Sequence, residues 1–187
     1  AIDLALNRSV LAQSNHLSFS FSVIDIIRMG FYPNELLGST QNTHLINKLL
    51  KVFDLDGYSD RIYTTLSGGE KQRVQLARVI AQIWSEENLK GKLLILDEPT
   101  SYLDIKHQQS LFEFLKKMNE KGLTIITVLH DLNHAIMISD KIMLLKAAKL
   151  INYGTVSDVV NSEVLKNVFG VELSVINDKH NRLLVTF

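Results

Sequence analysis

The 187 residues are 46% hydrophobic, enough for one globular domain with a real core and short for two. Twenty Lys plus Arg balance twenty Asp plus Glu, so no net charge draws the chain to nucleic acid or an anionic bilayer, and no convincing basic patch takes its place. The absence of cysteine excludes a disulfide frame and a thiolate metal site and suits a reducing cytosol. No apolar run approaches the roughly 20 residues that cross a bilayer, so any membrane role has to come through a partner. The N-terminus lacks a signal peptide's charged-then-apolar pattern, and Ala1 in place of methionine is compatible with processing or with a truncated chain.

In chain order, Leu4 to Ala12 reads as the end of a strand running into a loop at Gln13 to Ser20. Ser22 and Asp25 form a capping-box pair, and Val23, Ile26 and Ile27 follow at helical spacing until Gly30, the expected stop. Pro33 and Gly38 mark a connection. Leu45, Leu49, Leu50 and Phe53 give the stripe of a second helix that ends near Gly57. A third helix is predicted over Ser67 to Trp84, with Val74, Ala77, Arg78 and Ala81 along one side, and a charged linker follows at Ser85 to Lys92.

Leu93 to Leu96 is an unbroken apolar run, the pattern of a strand buried on both faces. Helix returns from Ile105 to Lys121, with Leu111, Phe114, Leu115 and Met118 inward and Gly122 as the stop. Leu123 to Leu129 is a β-branched run, Asp131 to Ser139 a helix, and Lys141 to Leu145 a further strand. Such alternation implies a parallel sheet covered by helices. Two short helical pieces, Ser157 to Asn161 and Ser162 to Phe169, precede an antiparallel pair, Val171 to Ile176 and Arg182 to Phe187. The whole reads as one α/β domain over 1–187. A helical insertion between about Ser14 and Thr65, with the helix after it, makes a helical subdomain of approximately 14–84.

Chemistry concentrates in two places. A buried parallel strand delivers its side chains to its C-terminal edge, where open α/β sheets bind ligands, and this one ends in Asp97 and Glu98. A magnesium ion bound to phosphates gives adjacent carboxylates a purpose: Asp97 can hold the metal, and Glu98 can orient or deprotonate an attacking water. The plain alternative is a strand ending in a polar turn at Pro99. In Leu66-Ser67-Gly68-Gly69-Glu70, Ser67 and Glu70 make a capping box, yet two glycines in a first turn cost about 1 kcal/mol each against alanine. Bare backbone lets an anion approach the free amides of the helix end. A capped helix with no ligand would not select glycine twice.

Together these segments resemble the ATP-binding cassette family. Leu66 to Glu70 matches its signature motif, continued by Lys71 to Arg78; Leu93 to Asp97 matches Walker B, with Glu98 in the catalytic-base position. Ser101-Tyr102-Leu103-Asp104 matches the D-loop, Gln13 the Q-loop glutamine, and His130 the switch histidine. Four segments add a flavour of haem, iron-siderophore and cobalamin importer subunits, haem importers nearest: Leu17 to Val23, Ala81 to Trp84, Asp104 to Gln108 and His130 to Asn133. The resemblance implies a P-loop NTPase-like fold and an ATPase that uses ATP and Mg2+. It implies Glu98, His130 and Gln13 in catalysis, Ser67, Gly68, Gly69, Glu70 and Asp104 at the nucleotide, and Asp97 with Gln13 at the metal. It also implies a head-to-tail second copy, an integral-membrane permease, indirectly a substrate-binding protein, and a peripheral place on the cytoplasmic face of the membrane.

The chain departs from the family pattern in lacking a glycine-rich loop ending in Gly-Lys-Ser/Thr, the cradle for β- and γ-phosphates. That loop lies upstream of the Q-loop, already reached here at Gln13, so the N-terminal strands are expected to be missing and the fragment by itself inactive. Tyr102 replaces a small D-loop residue, and Ala147-Ala148 stands where Asn-Gly is common, so a looser hairpin turn is expected. His130 and His134 have the spacing of a zinc pair on a helix, but the β-branched run before His130 argues against a shared helical face. Gln13 in isolation is an ordinary loop amide, and Phe19, Phe21 and Phe31 are either packed core or a dock for the permease. Two other classes remain open: a non-catalytic binding or regulatory module, and a soluble ABC ATPase of DNA repair or translation, whose usual coiled coil or tandem cassettes are absent from this chain.

Overall fold

The computed structural model describes residues 2–13, 19–32, 39–85, 88–179 and 182–186. They form two compact units, Ala1–Val128 and Leu129–Phe187. Parts of the expected connection at Pro33 and Gly38, of the Leu17-containing segment and of the charged linker lie outside the described residues.

The first unit opens with α1 (Ile2–Asn7) and β1 (Arg8–Leu11). The opening stretch is thus a turn of helix followed by a short strand, where a strand end alone was expected. Gln82 explains why the strand is held: its amide donates to the Ala5 carbonyl at 2.8 Å and to that of Arg8 at 3.0 Å, and its Oε1 accepts from Ser9 at 3.1 Å. Parallel pairing places β1 beside β2 (Leu93–Asp97) and β2 beside β3 (Thr124–Val128), in the order β1-β2-β3. The expected burial of β2 on both faces does not hold. Leu94 and Leu96 are wholly buried under helices, whereas Leu93 and Ile95 are half-buried and their neighbours Val10 and Ile126 are 43% and 53% exposed. The helices α4 (Gly68–Ile83) and α5 (Ile105–Glu120) share one core with Leu11, Leu94, Leu96 and Ile125, all on one sheet face.

Helix α2 (Val23–Met29) starts at the predicted capping box, in which Ser22 and Asp25 satisfy each other's backbone amides. Its end corrects the expectation of a left-handed glycine stop. Gly30 keeps a right-handed φ of −63°, and a Cβ there would stand 2.2 Å from the Arg78 carbonyl and 2.9 Å from Ala81 Cβ. The glycine is needed because α2 meets α4 backbone to backbone. Helix α3 (Ser39–Val52) ends five residues before Gly57; Phe53 is buried beyond it, and both Asp54 and Gly57 take positive φ. Phe31 is core, Phe21 packs on the core, and Phe19 is 71% exposed.

Helix α4 was expected to bury one side. It buries Arg73, Val74, Gln75, Leu76, Ala77, Val79, Ile80, Ala81 and Ile83, because α2 and α3 pack against it as well as the sheet. Ser67 caps it: the Glu70 amide donates to Ser67 Oγ at 3.4 Å, and Glu70 Oε2 accepts the Ser67 amide at 2.7 Å. The Tyr58 hydroxyl donates to Glu70 Oε1 at 2.8 Å.

In the second unit, α6 (Leu132–Ile138) is capped by Asp131 and fastened to β7 (Leu183–Thr186) by a reciprocal pair between Asn133 and the Val185 backbone, at 2.8 and 3.1 Å. The strand β4 (Lys141–Lys146) does not extend the parallel sheet; it pairs antiparallel with β5 (Lys149–Thr155). Their turn is tight, with Ala147 and Ala148 at φ 50° and 58°, as a two-residue I′ turn requires, so the expected loosening does not occur. Helices α7 (Val156–Val159) and α8 (Ser162–Phe169) follow, the first one residue earlier than expected because Thr155 and Asp158 form its capping box. The strand β6 (Ser174–Asn177) pairs antiparallel with β7. Ile142, Leu144, Val159, Leu165 and Val185 make this unit's own core.

Replacing Gly30 by alanine forces a backbone carbonyl to move, so Gly30→Ala is expected to lower stability by about 1–3 kcal/mol, the range for overpacking. A urea midpoint equal to wild type would remove the close approach of α2 and α4. Hydrogen bonds from the Ser67 hydroxyl and amide and from Tyr58 hold the Glu70 carboxyl at about 2, below its ordinary 4.5. A depressed carboxyl contributes stability above the unfolded value and loses it as pH falls through the folded one. The stability difference between wild type and Glu70→Gln should therefore be present at pH 7 and close between about pH 4.5 and 2. A difference that persists unchanged to pH 2 would contradict the assignment.

Candidate functional site at the edge of the parallel sheet

Asp97 and Glu98 sit at the C-terminal edge of β2, where the sheet pattern ends. The ladder continues one bond past the strand, from the Glu98 amide to the Val128 carbonyl at 3.1 Å, and then the chain turns. Glu98 takes a φ of 48°, a left-handed conformation uncommon for a non-glycine residue. Asp97, Ile95 and Leu93 lie on the less covered sheet face by the two-residue alternation of a strand.

Gln13, two residues beyond β1, reaches the same edge because β1 and β2 are adjacent and parallel. Its amide donates to Glu98 Oε1 at 3.0 Å, and the Ser101 hydroxyl donates to Glu98 Oε2 at 3.2 Å. Both carboxylate oxygens are thus held by neutral donors, from a different segment on each side. Adjacent strands delivered one catalytic candidate onto another, which is what a parallel edge does with residues distant in sequence.

Magnesium is held through one or two carboxylates plus waters and phosphate oxygens, whereas caged metals need more protein ligands. Among the described residues no group of three or more His, Asp or Glu side chains is placed to hold a metal ion. Asp97 beside the Gln13–Glu98 pair is a donor set that suits magnesium with a phosphate ligand.

The segment 98–104 lies directly on the start of α4. Gly68 is exposed and Gly69 half-buried, and Tyr102 is their neighbour. A Cβ on Gly69 would stand 2.7 Å from the Tyr102 carbonyl oxygen, and one on Gly68 would stand 3.3 Å from the tyrosine ring. Glycine at 69 therefore has a reason inside the chain, which the anion argument from sequence did not include. Tyr102 itself has a φ of 66° and is 81% exposed. Gln72 of α4 donates to the Pro99 carbonyl at 3.1 Å and Gln108 of α5 to that of Leu103 at 3.0 Å, so both helices grip the loop.

Asp104 caps α5, its Oδ1 accepting from the His107 amide at 2.9 Å and pairing with His107 Nδ1 at 2.7 Å. The His107 amide, before its ring, lowers the Asp104 carboxyl from the usual range. His130 belongs to the second unit, exposed and just ahead of the cap residue Asp131, while His134 is within α6 with its amide bonded to Asp131 at 3.0 Å. The two histidines do not share a helix.

Sequence reasoning singled out Gln13, Asp97, Glu98, Ser67, Gly68, Gly69, Glu70, Asp104 and His130. Within the first unit Gln13 meets Glu98, Ser67 meets Glu70, and the glycines meet the loop that carries Ser101 and Asp104. It missed Ser101 as a partner of Glu98 and Tyr102 as the cause of Gly69. The signals for both were their place in the turn after the acidic edge and in the D-loop match.

Residues 3–101 match the family model described as ABC transporter. The Hemin import ATP-binding protein HmuV of Escherichia coli O157:H7 is 38% identical over 186 residues, 98% of this chain and 71% of that protein. Its namesake from Rhizobium meliloti (strain 1021) is 40% identical over 176 residues, 92% of this chain and 66% of that one. The chain thus spans roughly two thirds of the length of these relatives. A solved ABC transporter in an inward-facing conformation superposes with a TM-score of 0.75 at 24% identity, over 97% of this chain and 72% of that one. The ATP binding subunit of another ABC transporter gives 0.73 at 20%, over 91% and 65%. At those identities the two structures speak for the fold alone, but the family match covers more than half of the chain and the relatives nearly all of it: the chain belongs to the ABC transporter family.

Proposed function

We propose that the chain is the ATP-hydrolysing part of an importer's nucleotide-binding subunit, with hemin or a similar iron chelate as cargo. The observation that carries this reading is the pairing of Gln13 with Glu98 at the sheet edge, beside Asp97. In this reading Glu98 positions and deprotonates the attacking water. Gln13 and Ser101 aim its carboxylate. Asp97, with Gln13, holds magnesium, whose charge offsets that of the phosphates when it is bound. Ser67 and the amides of Gly68 and Gly69, at the positive end of α4, face the γ-phosphate on a second, head-to-tail copy. Glu70 and Asp104 act there by fixing the helix starts, and His130 steadies the γ-phosphate.

Because the signature amides matter only while a γ-phosphate is present, ATP favours closure of the two copies and hydrolysis releases it. Gln13 and the helical insertion, Ser14 to Thr65, pass closure to an integral-membrane permease, which works with a substrate-binding protein and holds the subunit at the cytoplasmic face. No helix among the described residues is long and apolar enough to cross a membrane, which fits attachment through such a partner. The hemin assignment is supported by the names of the relatives and by their 38–40% identity.

In the full-length subunit Glu98→Gln should lower ATP turnover by about 10²–10⁴-fold, the contribution of a positioned general base, and leave ATP binding intact. Turnover near wild type would remove Glu98 from the role. In vesicles containing the assembled transporter, hemin is the expected cargo among hemin, a ferric siderophore and cobalamin. ATP-dependent uptake of either other compound without hemin would reassign the substrate class.

A further inference from the structure

A cluster of charged side chains lies behind the loop at 101–104. His107, on the first turn of α5, sits at its centre with a side chain 19% exposed. Its Nδ1 is 2.7 Å from Asp104 Oδ1. Its Nε2 has two neighbours of opposite character: the Arg73 guanidinium at 2.9 Å and Asp54 Oδ2 at 3.2 Å. Arg73, in α4, also donates to the carbonyls of Phe53 at 3.2 Å and Asp54 at 2.7 Å, and its side chain is 10% exposed. The Lys106 ammonium reaches the same Asp54 oxygen at 3.2 Å. The charged groups facing His107 are therefore Asp104 and Lys106 from α5, Arg73 from α4, and Asp54 from the loop after α3.

An arginine N–H can only donate, so the Arg73 contact requires a bare Nε2 with the hydrogen on Nδ1. That hydrogen then goes to Asp104. A carboxylate can only accept, so the Asp54 contact requires a hydrogen on Nε2. With both nitrogens protonated, His107 keeps Asp104, gains Asp54, and repels the guanidinium 2.9 Å away. Asp104 is held in both states and the opposite partner changes. The Lys106 hydrogen bond, first among the causes, holds the Asp54 carboxyl below its usual range, so the acceptor facing Nε2 is charged.

We propose that His107 is a positioning residue: neutral, it ties the Asp104 end of the loop to α4 through Arg73, and protonated, it exchanges Arg73 for Asp54. This rests on the reading of residues 97–104 as part of an ATPase site. The consequence is one additional tie between the loop after the acidic edge and the signature helix while His107 is neutral. Protonation of the ring removes that tie, while the Gln72–Pro99 hydrogen bond and the Tyr102 carbonyl against Gly69 remain.

Two measurements on the full-length subunit test it. In the first, histidine is labelled with 15N and followed by NMR against pH. At alkaline pH His107 should show the Nδ1–H tautomer with Nε2 bare; an Nε2–H tautomer overturns the proposal. In the second, ATP turnover is compared with His107→Asn, which keeps a donor near the Nδ1 position and has nothing that reaches Arg73. The ratio of wild-type to variant kcat should be roughly fivefold where the NMR shows the ring neutral, about the worth of one hydrogen bond, and fall to about one where it shows both nitrogens protonated, with KM for ATP unchanged. A ratio that stays constant with pH, or a change confined to KM, overturns the proposal. If the wild type hydrolyses no ATP at any pH, the ATPase reading fails instead, and the tautomer alone decides the exchange.

Discussion

Backbone comes closer to helix α4 than a methyl group would permit, at both of its sides, and the placement of the site follows from that. At its N-terminus the Tyr102 carbonyl occupies the space in front of Gly69, and along its length Gly30 of α2 lies against the Arg78 carbonyl. Side chains can adjust to a changed neighbour, but a backbone carbonyl moves only with its segment. The loop after the acidic strand is therefore located by α4, and α4 is located by α2 and the sheet. The glutamines extend the same arrangement: Gln72 and Gln108 hold the loop from two helices, and Gln82 fixes β1, whose neighbour Gln13 reaches Glu98.

A loop held so closely can retain conformations that a free turn would leave. Glu98 and Tyr102 both lie at positive φ, where a side chain is disfavoured, and both are in this short segment. Such strain persists only where the surroundings over-determine it, and it clusters at working sites. In Glu98 the effect is to turn the carboxylate toward Gln13 and Ser101 at the edge, away from the alternation it would follow if the strand continued.

The glycines of the signature segment show how a sequence argument can hold only part of a cause. Two glycines in a helix's first turn do leave bare backbone, and an approaching anion is the use for it that the sequence suggests. Tyr102 is another, and at Gly69 it suffices alone, since a Cβ at 2.7 Å from a carbonyl oxygen is prohibited with or without a ligand. Gly68 remains exposed and meets only the edge of a ring, so it is the position whose bareness is open to a phosphate. Gly30 makes the complementary case: a glycine that looked like a helix stop is a contact residue with ordinary right-handed φ.

By itself the amino-acid sequence determined the local signals: the capping boxes at Ser22 and Ser67, the glycine stop at Gly122, the apolar runs of β2 and β3, and the acidic edge. Each depends on residues within a few positions of one another, and so does the motif set that carries the family resemblance. What tertiary structure alone decided are the contacts between segments far apart in sequence. These include Gln13 on Glu98, Tyr102 on Gly69, and the burial of α4 on more than one side. They also include the antiparallel partner of β4 and the ring of His107 between α4 and the loop after α3. Periodicity names the face that a segment will bury, but not what it will be buried against, because that partner is chosen by the packing of the whole chain.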